Sequence, residues 1–137
     1  FPGMKVIQFA FDSREESDYL PHNYEKNCVV YTGTHDNDTL CGWYKVLDPE
    51  DLKLSQKYMN NANTPKRQIH WDFIRLALAS VADLCIIPLQ DYLGLGSEAR
   101  INTPSTLGKN WRWRMTQGCL TKELADQIRE LTTLYGR

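Results

Sequence analysis

Three short apolar runs and three helix-spaced patterns divide the chain. Met4–Phe11 (MKVIQFAF) is apolar on both alternating faces apart from Lys5 and Gln8, which predicts a strand covered on both sides, as in a parallel sheet. Asp12–Lys26 is polar and broken by Pro21, long enough for a crossover connection with one short helical turn. Cys28–Thr32 is a second, β-branched strand that stops at Gly33, and Leu84–Leu89 is a third, which Pro88 should end. Asp48-Pro49-Glu50-Asp51 starts a helix, with Asp48 as N-cap, that runs to about Met59. Thr64-Pro65 repeats the start signal, and Ile69, Phe73, Leu76, Ala77 and Val81 follow at helical spacing as one buried face. Thr121 caps a last helix whose face is Leu124, Ile128, Leu131 and Leu134 or Tyr135, with Gly136 at its end.

Strand, connection, strand, helices, strand, long loop, helix is repeated β/α winding, which implies an α/β fold with parallel strands and helices outside. Three parallel strands alone keep two open edges. A closed (β/α)8 barrel takes roughly 250 residues, and three β/α units would be the last part of one. The abrupt Phe1-Pro2-Gly3 start, directly before a strand, fits a piece of a longer polypeptide. At 137 residues the expectation is a single unit, 1–137, with no second domain.

Composition removes several classes of function. With 42% hydrophobic and 24% charged residues the chain reads as globular, and a net charge of −1 argues against a surface that tracks nucleic-acid phosphates. The alternating Trp111-Arg112-Trp113-Arg114 is too little basic surface to change that. No apolar run nears the ~18 residues that span a bilayer, so no membrane partner is expected. Cys28, Cys41, Cys85 and Cys119 lack CxxC spacing and read as free thiols in a reducing compartment, which makes the cytoplasm the expected location.

The densest polar cluster follows the second strand. His35, Asp36 and Asp38 lie between Gly33 and the Trp43-Tyr44 pair. A strand that delivers polar groups at its carboxyl end is how many α/β enzymes build a site. The plainer reading is an Asx-rich turn that caps the next helix. A carboxylate here could accept hydrogen bonds from sugar hydroxyls, stabilise a developing cation, or join the histidine on a metal. His22 and His70 show no ligand spacing, so no metal and no cofactor is expected, and a metal-dependent phosphohydrolase using His35 and Asp36 is a distant alternative. Trp43, Tyr44, Trp111 and Trp113 suit the apolar faces of sugar rings, although core packing accounts for at least two of them. Gly94-Leu95-Gly96 lacks the third glycine of a dinucleotide fingerprint and reads as a turn. Gly94–Asn110 is a long polar loop, of the kind that tends to carry function. From these residues alone the chain reads as part of an α/β enzyme acting on a polyol-like substrate.

Ordered blocks take the reading further: PGMKVIQFAF at 2–11, YLPHNY at 19–24, VVYTGTHDNDT at 29–39 with Gly42-Trp43-Tyr44, PLQDYLGLGSEARINTP at 88–104 and GKNWRWRM at 108–115. Together they resemble the 4-α-glucanotransferase (amylomaltase, or disproportionating enzyme) family of the α-amylase clan. The resemblance implies that the chain is the C-terminal part of a (β/α)8 TIM barrel, holding strands six to eight, with the remainder of the barrel as partner. It implies transfer of α-1,4-glucan segments between maltooligosaccharides, with glucose as an acceptor, by a retaining double displacement. Of the family's three catalytic carboxylates, the nucleophile and the acid/base fall outside this chain. The third, a transition-state stabiliser, maps onto Asp36. His35 is implied as a substrate contact, and Asn102 and Asp12 as sugar contacts by position. The alternatives are an α-glucan hydrolase of the same clan and a non-catalytic glucan-binding or structural fragment.

Overall fold

The computed structural model describes all residues from Phe1 to Arg137. Three parallel strands, β1 (Gly3–Val6), β2 (Cys28–Tyr31) and β3 (Leu84–Ile86), form one sheet in the order β1-β2-β3. Five α-helices accompany it: α1 (Leu40–Lys45), α2 (Pro49–Met59), α3 (Ile69–Ala79), α4 (Leu89–Tyr92) and α5 (Lys122–Leu134). The parallel β/α winding expected from the pattern is therefore present.

The two faces of the sheet are unlike. Cys28 and Val30 of β2 are buried in one cluster with Phe73, Ile74 and Ala77 of α3 and with Ile7, Phe11 and Leu40. Phe73 is its centre: the rings of Phe11, Trp43 and Tyr44 lie 5.8, 5.2 and 5.9 Å away. The Phe11 and Trp43 pairs are edge-to-face, a geometry that adds about 0.5–1.5 kcal/mol each beyond burial. The opposite face carries Met4, Val29 and Leu84 in register, then Tyr31 beside Ile86. Here Met4 and Leu84 remain 53% and 54% exposed, so β1 is not covered on both sides within this chain as its pattern implied.

Three further expectations need correction. The first strand stops at Val6, and Ile7–Phe9 turns as a 3-10 helix in which Ala10 N donates to Ile7 O at 3.0 Å. That turn buries Ile7, Ala10 and Phe11 together and leaves Phe9 outside, a choice that an all-apolar run does not reveal. The third strand, by contrast, ends at Ile86, just before Pro88 as expected, and Pro88 leads directly into α4. Asp48 precedes α2 but its side chain makes no capping bond. Thr64 accepts from Asn61 Nδ2 at 2.8 Å instead of starting a helix, a 3-10 turn over Lys66–Gln68 intervenes, and α3 ends at Ala79, so Val81 lies beyond it and is exposed. The last helix is as expected: Thr121 Oγ1 accepts from Leu124 N at 3.1 Å, and Leu131 is buried in the core.

Candidate active site

The loop Gly33–Thr39 leaves the carboxyl end of β2 and returns into α1. Inside it, Asn37 Oδ1 accepts from Thr34 N at 2.8 Å and from Thr34 Oγ1 at 2.9 Å, and Asn37 N donates back to Thr34 O at 3.2 Å, closing a tight four-residue turn. Thr39 then caps α1, its hydroxyl accepting from Gly42 N at 3.1 Å. Both readings of the cluster thus hold structurally: it is a capped turn, and it presents side chains at a strand's carboxyl end.

His35 and Asp36 are the residues it presents. Their side chains are 54% and 47% exposed, with His35 Nε2 3.3 Å from Asp36 Oδ1. Asn102, from the segment after α4, donates through Nδ2 to Asp36 Oδ1 at 2.7 Å, and its backbone N–H donates to His35 O at 3.1 Å. The Trp111 ring lies 5.1 Å from that of His35 at an angle of 34°. A concavity of about 350 Å³ opens beside this group, lined by Met4, Tyr31, His35, Asp36, Ile86 and Pro88.

Asp12 is elsewhere. Its carboxylate accepts from Arg14 Nε and Nη2, both at 2.8 Å, and has no hydrogen bond to the His35–Asp36–Asn102 group. The guanidinium holds its pKa down at about 2. Trp43 and Tyr44 pack on Phe73, whereas Trp113 makes no contact with the site group among the ring pairs.

Several residues that the sequence pattern did not single out hold the site in place. Arg100 Nη2 donates to Asp36 O at 2.6 Å and its Nε to Asn102 O at 2.9 Å, so one guanidinium ties the backbones of the two partners. Gln8 Nε2 donates to Asp38 O at 2.7 Å beneath the loop, and a Cβ at position 33 would lie 2.6 Å from that nitrogen, which explains Gly33. Asp38 itself faces inward: Oδ1 accepts from Thr39 N and Oδ2 from Ser97 Oγ. A side chain at position 42 would meet both of these oxygens at 2.6 Å, so only glycine lets α1 approach. Asp91 is buried and accepts from Thr32 Oγ1 at 2.7 Å and Leu40 N at 2.8 Å. Burial pushes its pKa up to about 6.

No three His, Cys, Asp or Glu side chains converge in a way that could hold a metal ion. His22 bridges Tyr58 and Glu16, and His70 is buried beside Cys41 Sγ, with its pKa lowered to about 4 by that burial. The four cysteines are free. No helix is long and apolar enough to cross a membrane.

The carboxyl ends of this parallel sheet therefore carry a half-exposed His–Asp–Asn group beside an indole and a concavity. Comparison with known proteins gives the particular family. The profile of 4-alpha-glucanotransferase matches residues 1–121. The chain is 51% identical over its whole length to the 4-alpha-glucanotransferase of Clostridium butyricum, covering 28% of that protein. It is 48% identical to the chloroplastic/amyloplastic 4-alpha-glucanotransferase of Arabidopsis thaliana over 99% of this chain and 24% of that one. An amylomaltase from Streptococcus agalactiae, solved in complex with acarbose, superposes with a TM-score of 0.92 at 38% identity, covering all of this chain and 28% of that one. The chain belongs to the 4-alpha-glucanotransferase family, and it spans about a quarter of the length of the relatives it matches.

Proposed function

We propose that this chain supplies one wall of a glucan-transferring active site, as strands six to eight of a (β/α)8 barrel at its C-terminal end. The observation that carries this reading is Asp36, a half-exposed carboxylate at the end of a parallel strand, hydrogen-bonded by Asn102 at 2.7 Å. The open apolar face of Met4, Val29, Tyr31, Leu84 and Ile86 supports it, because the inner face of a barrel is filled by side chains from other strands.

In this reading the substrates are α-1,4-glucans, with glucose as an acceptor. Asp36 stabilises the oxocarbenium-like transition state of a retaining double displacement, and it is not the nucleophile. His35 and Asn102 hold hydroxyls of the sugar being cleaved. Asp12 follows the 3-10 turn after β1, and its Arg14 pairing limits it to an outer contact. The nucleophile and the acid/base come from the earlier strands, and the work takes place in the cytoplasm, although the Arabidopsis relative is described as chloroplastic/amyloplastic.

Incubation of the full-length polypeptide with maltotriose tests the activity. Glucose together with longer maltodextrins is the expected product set. Shorter sugars alone would mark a hydrolase and overturn the transfer reading. The 137-residue chain by itself is expected to make neither.

A further inference from the structure

We infer that Asp91 is a positioning residue for the reaction at Asp36, because its buried carboxylate fastens both ends of the loop that carries Asp36. The inference rests on the reading of Asp36 given above. The loop runs from Gly33 to Thr39, between Thr32 at the end of β2 and Leu40 at the start of α1. Asp91 Oδ2 accepts from the Thr32 hydroxyl at 2.7 Å, and Asp91 Oδ1 accepts from the Leu40 N–H at 2.8 Å. One planar group therefore sets the separation of the two ends. The carboxylate comes from α4, which follows β3, so it also fixes the loop relative to the segment that brings Arg100 and Asn102.

This is an expensive way to hold a loop. Asp91 is 2% exposed, and no Lys, Arg or His forms an ion pair with it. An apolar side chain would avoid the desolvation cost but leave a helix-start N–H and a buried hydroxyl without an acceptor. Of the ordinary side chains, a carboxylate presents two acceptor oxygens in one plane. Asp91 does not touch Asp36, so its effect passes through the loop alone. Misplacing a reacting group by about 1 Å can cost on the order of a hundred-fold in rate.

The test uses the full-length enzyme with maltotriose, comparing Asp91→Ala, Thr32→Val, Asp91→Asn and Asp36→Asn. Asp91→Ala is expected to lower kcat about fifty-fold while KM stays within about three-fold, since the fault lies in alignment and not in binding surface. Thr32→Val frees one end only and should lower kcat about five-fold. Asp91→Asn should stay within about three-fold of wild type, because its oxygen still accepts from Leu40 N and the Thr32 hydroxyl can rotate to accept from its amide. Should Asp91→Ala fail to fold, Thr32→Val with an unchanged thermal transition decides by itself. The inference is overturned if every foldable variant that frees an end keeps wild-type kcat, or if Asp91→Asn loses as much as Asp91→Ala. Full activity in Asp36→Asn would instead overturn the underlying reading of Asp36.

Discussion

Asp36 and Asp12 are two carboxylates in connections that follow parallel strands of one sheet, and they are held in opposite ways. Asp12 is paired by Arg14, two residues along the chain, through a bidentate contact on the surface. Asp36 is paired by Asn102 and carried by Arg100, both more than sixty residues away in sequence. A local cation pairs with Asp12. A neutral amide orients Asp36, whose other side-chain neighbour at the same oxygen is the His35 imidazole at 3.3 Å. A carboxylate fixed in place without a permanent counter-cation is what electrostatic stabilisation of a developing positive charge requires.

Substitutions can break or sharpen that contrast. The largest expected effect is from Asp36→Asn in the full-length enzyme, which keeps shape and removes charge: kcat should fall on the order of 10²–10³-fold, as for loss of one strong electrostatic contact in a transition state. Asn102→Ala removes a hydrogen bond to a charged group, commonly about 1.5–3 kcal/mol, and should lower kcat/KM roughly ten- to hundred-fold in the same assay. Asp12→Asn should change kcat by less than about three-fold, because the Asp12 carboxylate pairs with Arg14 on the surface and has no hydrogen bond to the His35–Asp36–Asn102 group. A large loss there would place Asp12 on the substrate after all.

A smaller effect concerns stability. Asp91 is raised by burial from an ordinary 3.8 to about 6, with neighbouring Asp38 adding to the rise and the Leu40 N–H and Thr32 hydroxyl opposing it. Between those values the folded protein binds more protons than the unfolded one, so this group's contribution falls as the pH rises through the window, by roughly 3 kcal/mol in all. Asp91→Asn cannot titrate. Its Tm, compared with wild type, should therefore gain on wild type between pH 4 and pH 7, and a constant difference across that range would refute the assignment.

Local signals were legible in the chain and long-range ones were not. The β-branched run ending at Gly33, the Asp48-Pro49 start and the Thr121 cap each involve neighbours a few residues apart, and β2, α2 and α5 lie where those signals put them. The turn at Ile7–Phe9 was hidden because an unbroken apolar run has no period to read. His35, Asp36 and Asn102 lie side by side, although Asn102 is far along the chain from the other two. Arg100, Gln8, Ser97 and Asp91 were missed because each acts on the loop from far along the chain, and nothing about an isolated Arg or Gln announces its partner. The Asp12–Arg14 pairing is the opposite case: Asp-x-Arg spacing is itself a local pairing signal, legible in the chain.

The central claim is that the Asp36 charge serves the transition state more than the bound ground state. Its most direct test is the affinity of full-length wild type and Asp36→Asn for a cationic amino-sugar mimic of the transition state, measured beside the Kd for a neutral, uncleavable thio-linked maltotriose. The account predicts that the cationic mimic loses on the order of 10²-fold in affinity while the thio-linked sugar changes by only a few-fold. Equal losses for both ligands would show that Asp36 merely binds sugar, and would contradict the account.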